Sequence, residues 1–412
     1  MPTSHIRHYL EHYFALHPSQ EVKEMFQAIA LRSLAVSMVG VFEPIYLYTL
    51  GYSIPDILLF YIAVFACFFL ILPLGGRICR RHGYEHTMLL SAPFLIIFYL
   101  SLFAVPKYPI FLAVAVVATV LHRVLYWVGY HANFATWMNG REAGKEMSNR
   151  IALAALAAAF APILGGAVIV FFGFGALFIA VALLILLSNI PLLRTPEMFM
   201  PQEFSYVGAM RNFLRRFGSA RFLTYFAEGE AFIALAVWPI FIAIVIPSLL
   251  TIGIVVSLAR SVNVLLTLYA GRLADEDRWD KLLLSGTVFT AASWLVRPFV
   301  SGPLGVFLVD SYYKISENMI RIPFDSAGYA FARKEGVMQT IIFHEMSLAF
   351  GKLTAAILVY LAFVFLPAHS WTVVFIIAAA FTALYALLPY SGRKAEPVEN
   401  PAVAVAVHDQ LP

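Results

Sequence analysis

Five ionisable residues, Asp310, Lys314, Glu317, Arg321 and Asp325, follow one another at steps of four, three, four and four inside an apolar run. On a helix they share an arc of about 80° and rise about 22 Å along the axis. Their signs alternate, so neighbours one turn apart can neutralise each other. Such a ladder can bind ions, protons or a polar ligand, or it can be a self-paired scaffold that never meets a ligand. It cannot face lipid, because charge inside a bilayer is costly.

Other candidates lie in other apolar runs. His122, Arg123, Tyr126, Trp127, Tyr130 and His131 form a polar-aromatic stripe. Arg123 and His122, with Lys314, are suited to an anionic or polar group, Tyr126, Trp127 and Tyr130 to an apolar or ring surface, and Glu317 completes the candidate substrate-binding set. Glu228-Gly229-Glu230 offers two carboxylates about 200° apart on a helix, so one of them is expected to reach a cavity. Glu43 stands beside Pro44, where a helix can bend. Glu43, Glu228, Glu230, Asp310 and Glu317 are the candidate proton carriers, since burial favours the neutral carboxyl. His344 and Lys352 read as structural. No nucleotide-binding loop, redox cysteine pair or internal metal-ligand set is present, and no cofactor is expected.

These residues need elements that a bilayer can hold. The 412-residue chain is 61% hydrophobic and 13% charged, with a mean hydropathy of +0.81, too apolar for a soluble domain. Runs of about 20 apolar residues predict twelve spans near 27–49, 55–76, 87–105, 108–131, 151–172, 175–194, 222–246, 248–270, 282–301, 303–327, 337–366 and 371–390. The fold expected is an all-α membrane protein of two six-helix bundles, 27–194 and 222–390. Residues 1–26 carry an N-terminal surface helix, whose His5, His8 and His12 read as a polar face rather than a metal site. An amphipathic linker spans 195–221, and a disordered tail 391–412. Twenty of the 28 Lys and Arg fall in alternate loops and tails, which predicts both termini on the cytoplasmic side of a plasma (inner) membrane. The net charge of +4 then faces the inner leaflet, and nucleic acid is not a partner.

The halves look like copies. The turn from Gly271 through Arg272 and Asp275 to Lys281 stands 195 residues after the turn from Gly76 through Arg80 to His86, and Pro44-Ile45 maps at the same offset onto Pro239-Ile240. That step also puts Glu317 over His122, Arg321 over Tyr126 and Asp325 over Tyr130, so the aromatic stripe of span four is expected to face as the ladder of span ten does.

Twelve spans in two repeated halves, with Gly271-Arg272-Leu273-Ala274-Asp275 after span eight, resemble the major facilitator superfamily. Gly76, Ile78, Arg81 and Gly83 fit the same loop motif in the first copy, where Arg80 replaces the acid. Ala157, Ala161, Pro162, Gly165 and Gly166 are similar to the superfamily's fifth-helix antiporter motif. The resemblance implies that each loop acid packs against a helix of the other half. With charges reversed at Arg80 and Asp275 and at Arg150 and Glu345, the expected cytoplasmic gate is Arg80 with Glu345 and Asp275 with Arg150.

The reading that follows is a secondary active transporter, not an enzyme, moving a small molecule by alternating access. It is monomeric in the bilayer and coupled to protons, with a slight lean to efflux by antiport. Proton-coupled uptake of a sugar or organic acid, and a non-transporting sensor or lipid-interacting scaffold, are the alternatives.

Overall fold

The computed structural model describes residues 20–137, 155, 158–193, 203–270 and 279–391. Every regular element among them is helical. Nine of these helices are long and apolar enough to cross a membrane. Twelve spans require three more, and the chain offers a candidate for each. Ala161–Asn189, counted once, leaves helical geometry at Gly173 (φ 84°), a conformation that suits glycine because a Cβ is strained there. Its two parts correspond to spans five and six. Leu249–Ala270 holds a shorter apolar stretch. Gly302–Glu335 is 34 residues long but carries the ladder. Span ten therefore runs past its expected end at 327, stopping only at Gly336 (φ 102°).

Spans one and seven are both broken, at related places. Span one consists of Gln20–Val39 and Phe42–Thr49. Span seven consists of Ala220–Phe226, Gly229–Phe232, a π-turn at Ile233–Val237, and Trp238–Val245. Pro44 and Pro239 lack the N–H that would bond the carbonyl four residues back, at Gly40 and Leu235. The break after Val39 and the π-turn of span seven both fall there, whereas the break between Phe226 and Gly229 has no counterpart in span one, which is helical over Gln20–Val39.

The two halves meet where small residues admit a neighbouring backbone. A Cβ on Gly253 of span eight would lie 2.4 Å from the Pro162 carbonyl oxygen of span five, and one on Gly166 would lie 2.9 Å from that of Leu249. On the other side, a Cβ on Gly76 of span two would lie 3.0 Å from Ile342 of span eleven. The linker helix Tyr206–Arg216 is capped by Ser205, which accepts from Gly208 N–H at 3.1 Å. It lies across that second seam. Tyr206 donates to the Leu70 carbonyl of span two at 2.8 Å, and Phe213 packs on Phe69 of span two and Phe350 of span eleven. At the end where span two finishes in Arg80 and Arg81 and span ten in Lys334 and Glu335, Arg216 and Arg221 each donate to Glu335 at 2.9 Å. The hydrogen bond from Arg221, with that from Arg216, holds the Glu335 carboxyl below its ordinary range. This end is called the basic end below.

Candidate functional site

Two cavities lie between the halves, arranged along span ten. The one farther from the basic end is lined by Ser37 and Gly40 of span one, Trp238 of span seven, Arg260 of span eight, and Arg297, Asp310, Tyr313 and Lys314. The one nearer the basic end is lined by Phe65 and Phe68 of span two and Arg123, Trp127 and His131 of span four. Glu228, Arg321, Phe324, Asp325, His344, Glu345, Leu348 and Lys352 complete it.

The ladder connects them. Asp310 accepts from Trp238 Nε1 at 2.7 Å and lies 3.6 Å from the fully buried Arg297. The Arg297 guanidinium is packed against Trp294, Trp238 and Tyr313, with its carbon 3.6 to 4.6 Å from the ring centres. Lys314 donates to Glu317 at 3.0 Å, and Glu317 lies 3.5 Å from Arg321 on its other side. Arg321 also forms a buried ion pair with Glu228, which accepts from Tyr385 at 3.1 Å. The chain of pairs uses four of the five ladder residues. Asp325 at its end lines the second cavity and makes no hydrogen bond or ion pair among the described residues.

The two acids of span seven part as their spacing requires. Glu228 lines the cavity. Glu230 turns into the C-terminal bundle, where it accepts from Trp294 Nε1 at 2.9 Å and Tyr313 at 2.6 Å. Glu43 accepts from Tyr61 at 3.2 Å and is buried within the first half.

Span four departs from expectation by one residue. Its cavity face is Arg123, Trp127 and His131. His122, Tyr126 and Tyr130 line neither of these cavities. They stack in sequence at ring distances of 5.5 and 5.6 Å, continued by Phe134. The guanidinium of Arg32 sits 3.6 Å above Tyr126 and lies 3.0 Å from His122 Nε2. Arginine can only donate, so Nε2 accepts and Nδ1–H donates to the Ser91 carbonyl at 3.2 Å. His122 is thus a neutral, doubly bonded imidazole inside the first bundle. The repeat mapping put His122, Tyr126 and Tyr130 on the face of the ladder, whereas the cavity face of span four is the neighbouring one, 100° away.

The family follows from the whole chain. The sequence model of the Major Facilitator Superfamily matches residues 25–313. The chain belongs to this superfamily. It is a multi-pass membrane transporter and not an enzyme. Solved superfamily structures share its fold. A glutamate-to-glutamine mutant of the peptide transporter POT in complex with sulfate has a TM-score of 0.65 at 12% identity, covering 90% of this chain and 93% of that one. The same mutant in complex with alafosfalin gives 0.64 at 14%, over 91% and 96%. The human organic anion transporter MFSD10 (TETRAN) gives 0.62 at 15%, over 90% and 100%. A search of curated protein sequences found no match.

In this superfamily member the expected gate is only partly within view. Arg150 and the loop residues Gly271, Arg272 and Asp275 lie outside the described residues. Arg80 and Glu345 do not pair. Gly76 is level with Ile342. Arg80 is one turn nearer the basic end than Gly76, and Glu345 one turn deeper than Ile342, about 10 Å apart along the axis. Glu345 instead lies 3.4 Å from His131 and 3.7 Å from His344, and His131 contacts the Tyr329 hydroxyl at 3.2 Å. His344, Glu345 and Lys352 thus all face the second cavity. A signal for this was present in the sequence. Glu345, Leu348 and Lys352 step by three and four, one helical face, in a span otherwise poor in charge.

Proposed function

We propose that the chain is a proton-coupled secondary transporter that works by alternating access and holds its substrate in the cavity nearer the basic end. The observation that carries this reading is the Glu228–Arg321 ion pair at the wall of that cavity. It joins span seven to span ten, and Arg321 is shared with Glu317. A proton on Glu228 removes the charge that holds Arg321 and lets the two spans move relative to each other. Neutralising a partner in a buried pair is a large local change, so it can bias a two-state element. Glu317 is the second carrier. Glu230, Glu43 and Asp310 act through their hydrogen-bonded frames, since each already accepts from an aromatic side chain.

Arg123 and Trp127 contact substrate from the first half, and Asp325 and Lys352 from the second. The POT structures hold sulfate and alafosfalin, and MFSD10 is named an organic anion transporter, which supports a small polar or charged organic substrate. The fifth-helix similarity supports export by exchange with protons. The bias of Lys and Arg supports cytoplasmic termini and a plasma-membrane location, with the protein acting as a monomer.

The test is flux in proteoliposomes under an imposed pH gradient. Glu228→Gln is expected to uncouple substrate movement from the gradient while leaving exchange of substrate for substrate. If Glu228→Gln, Glu230→Gln and Glu317→Gln together leave transport equally responsive to the gradient, proton coupling through these groups is wrong.

A further inference from the structure

From the partners that the cavity charges already have, we infer that the substrate is a small zwitterion with an apolar body, its carboxylate held by Lys352 and its ammonium by Asp325. This rests on reading the cavity nearer the basic end as the substrate site. Among the charged groups lining that cavity, most are engaged. Arg321 is held by Glu228 and Glu317, and Glu345 lies against His131 and His344. Arg123 has partners of its own. Lys352 and Asp325 differ. Neither makes a hydrogen bond or ion pair among the described residues, with each other or with any third group, and both line the cavity.

Lys352 is only 3% exposed. Glu345 is the nearby opposite charge, but it lies against His131 and His344. An ammonium so deeply placed with no hydrogen-bonded anion is expensive, and the expense falls when a ligand anion arrives. Asp325 is half-buried, and the nearest cation, Arg321 one turn away, is already held by Glu228 and Glu317, so its carboxylate also lacks a hydrogen-bonded partner. A ligand carrying one charge satisfies one group and leaves the other, whereas a zwitterion satisfies both. The same lining includes Phe65, Phe68, Trp127, Phe324 and Leu348, apolar surface that suits a hydrocarbon or aromatic body.

The experiment is calorimetric binding to the purified full-length protein, with probes of short and long charge separation, L-phenylalanine and para-aminomethylbenzoate. Each is compared with its N-acetyl derivative, which is an anion, and its amide, which is a cation. At least one parent zwitterion is expected to bind at least about tenfold more tightly than both of its derivatives. Lys352→Gln should abolish the preference over the amide, and Asp325→Asn the preference over the N-acetyl form. Lys352→Met, of similar length and apolar, serves where the glutamine variant does not fold. If each parent is matched by its N-acetyl form or its amide the inference is overturned, as it is by silence of both parents. Selective binding without any proton-linked flux would sink the transport reading above and leave the zwitterion site standing. Flux with no such selectivity would do the reverse.

Discussion

Replacing Arg321 by methionine removes the one guanidinium shared by Glu228 and Glu317, and the geometry says which acid suffers. Glu317 keeps Lys314 at 3.0 Å. Glu228 keeps only the Tyr385 hydroxyl at 3.1 Å. Removing one partner of a buried pair costs about 3–5 kcal/mol, because a charge is left uncompensated. One hydrogen bond to that charge survives, so the expected loss is near the lower figure, about 3 kcal/mol. Arg321→Met with Glu228→Gln removes the stranded charge as well, leaving about 1 kcal/mol of lost packing and bonding. The difference, about 2 kcal/mol, is the expected rescue, read as thermal unfolding of detergent-purified single and double variants. Acidification should also narrow the gap between the single and double variants, since a protonated Glu228 is cheaper to bury and only the single variant carries it. Equal stability of the single and double variants at neutral pH would falsify the argument, because it would mean that loss of Arg321 strands no charge on Glu228.

Three other outcomes follow. Glu335 has its pKa lowered by Arg221 and Arg216, so its contribution is present above the ordinary glutamate range and is lost as pH falls through the depressed value. Wild type should therefore lose its stability advantage over Glu335→Gln as pH falls below the ordinary glutamate range, by under about 1 kcal/mol for a largely exposed group, as followed by thermal unfolding at descending pH. A Cβ at Gly351 would sit 2.2 Å from the Phe226 carbonyl oxygen, whereas one at Gly328 meets only the Tyr225 hydroxyl, at 3.9 Å. Gly351→Ala should then destabilise by about 1–3 kcal/mol and Gly328→Ala should not, a contrast visible in thermal unfolding of the purified pair. Once a ligand is in hand, Trp127→Ala should weaken its binding about tenfold, the equivalent of about 1.4 kcal/mol, while His122→Phe changes it little; the reverse order would return the cavity face to His122.

What could be read from the sequence divides along physical lines. Hydrophobic run length and the 195-residue repeat indicated a helical membrane fold, because both are set by the bilayer and by the chain alone. The alternation along span ten correctly implied Lys314 beside Glu317 and Glu317 beside Arg321, since partners one turn apart on one helix need no tertiary knowledge. The two acids of span seven separated for the same reason. Choosing between the His122 and Arg123 faces of span four required knowing how that helix is rotated in its bundle, and both faces carry aromatic and basic residues. The Glu345 partner depended on the axial register of span eleven against span two, which a loop motif does not encode. Lys352 was passed over because a lone lysine shows its worth only when its neighbours prove to be engaged elsewhere.

The linker helix has a consequence for observing the molecule at work. Its Tyr206 is bonded to span two, its Phe213 touches spans two and eleven, and its Arg216 is tied to the end of span ten. A strut fastened to both bundles must tilt or stretch when they turn against each other. Val207 and Leu214, 65% and 64% exposed, offer attachment points on that strut away from both cavities. A dye placed there becomes a tension gauge, giving a signal of bundle motion without a label in the path of the cargo.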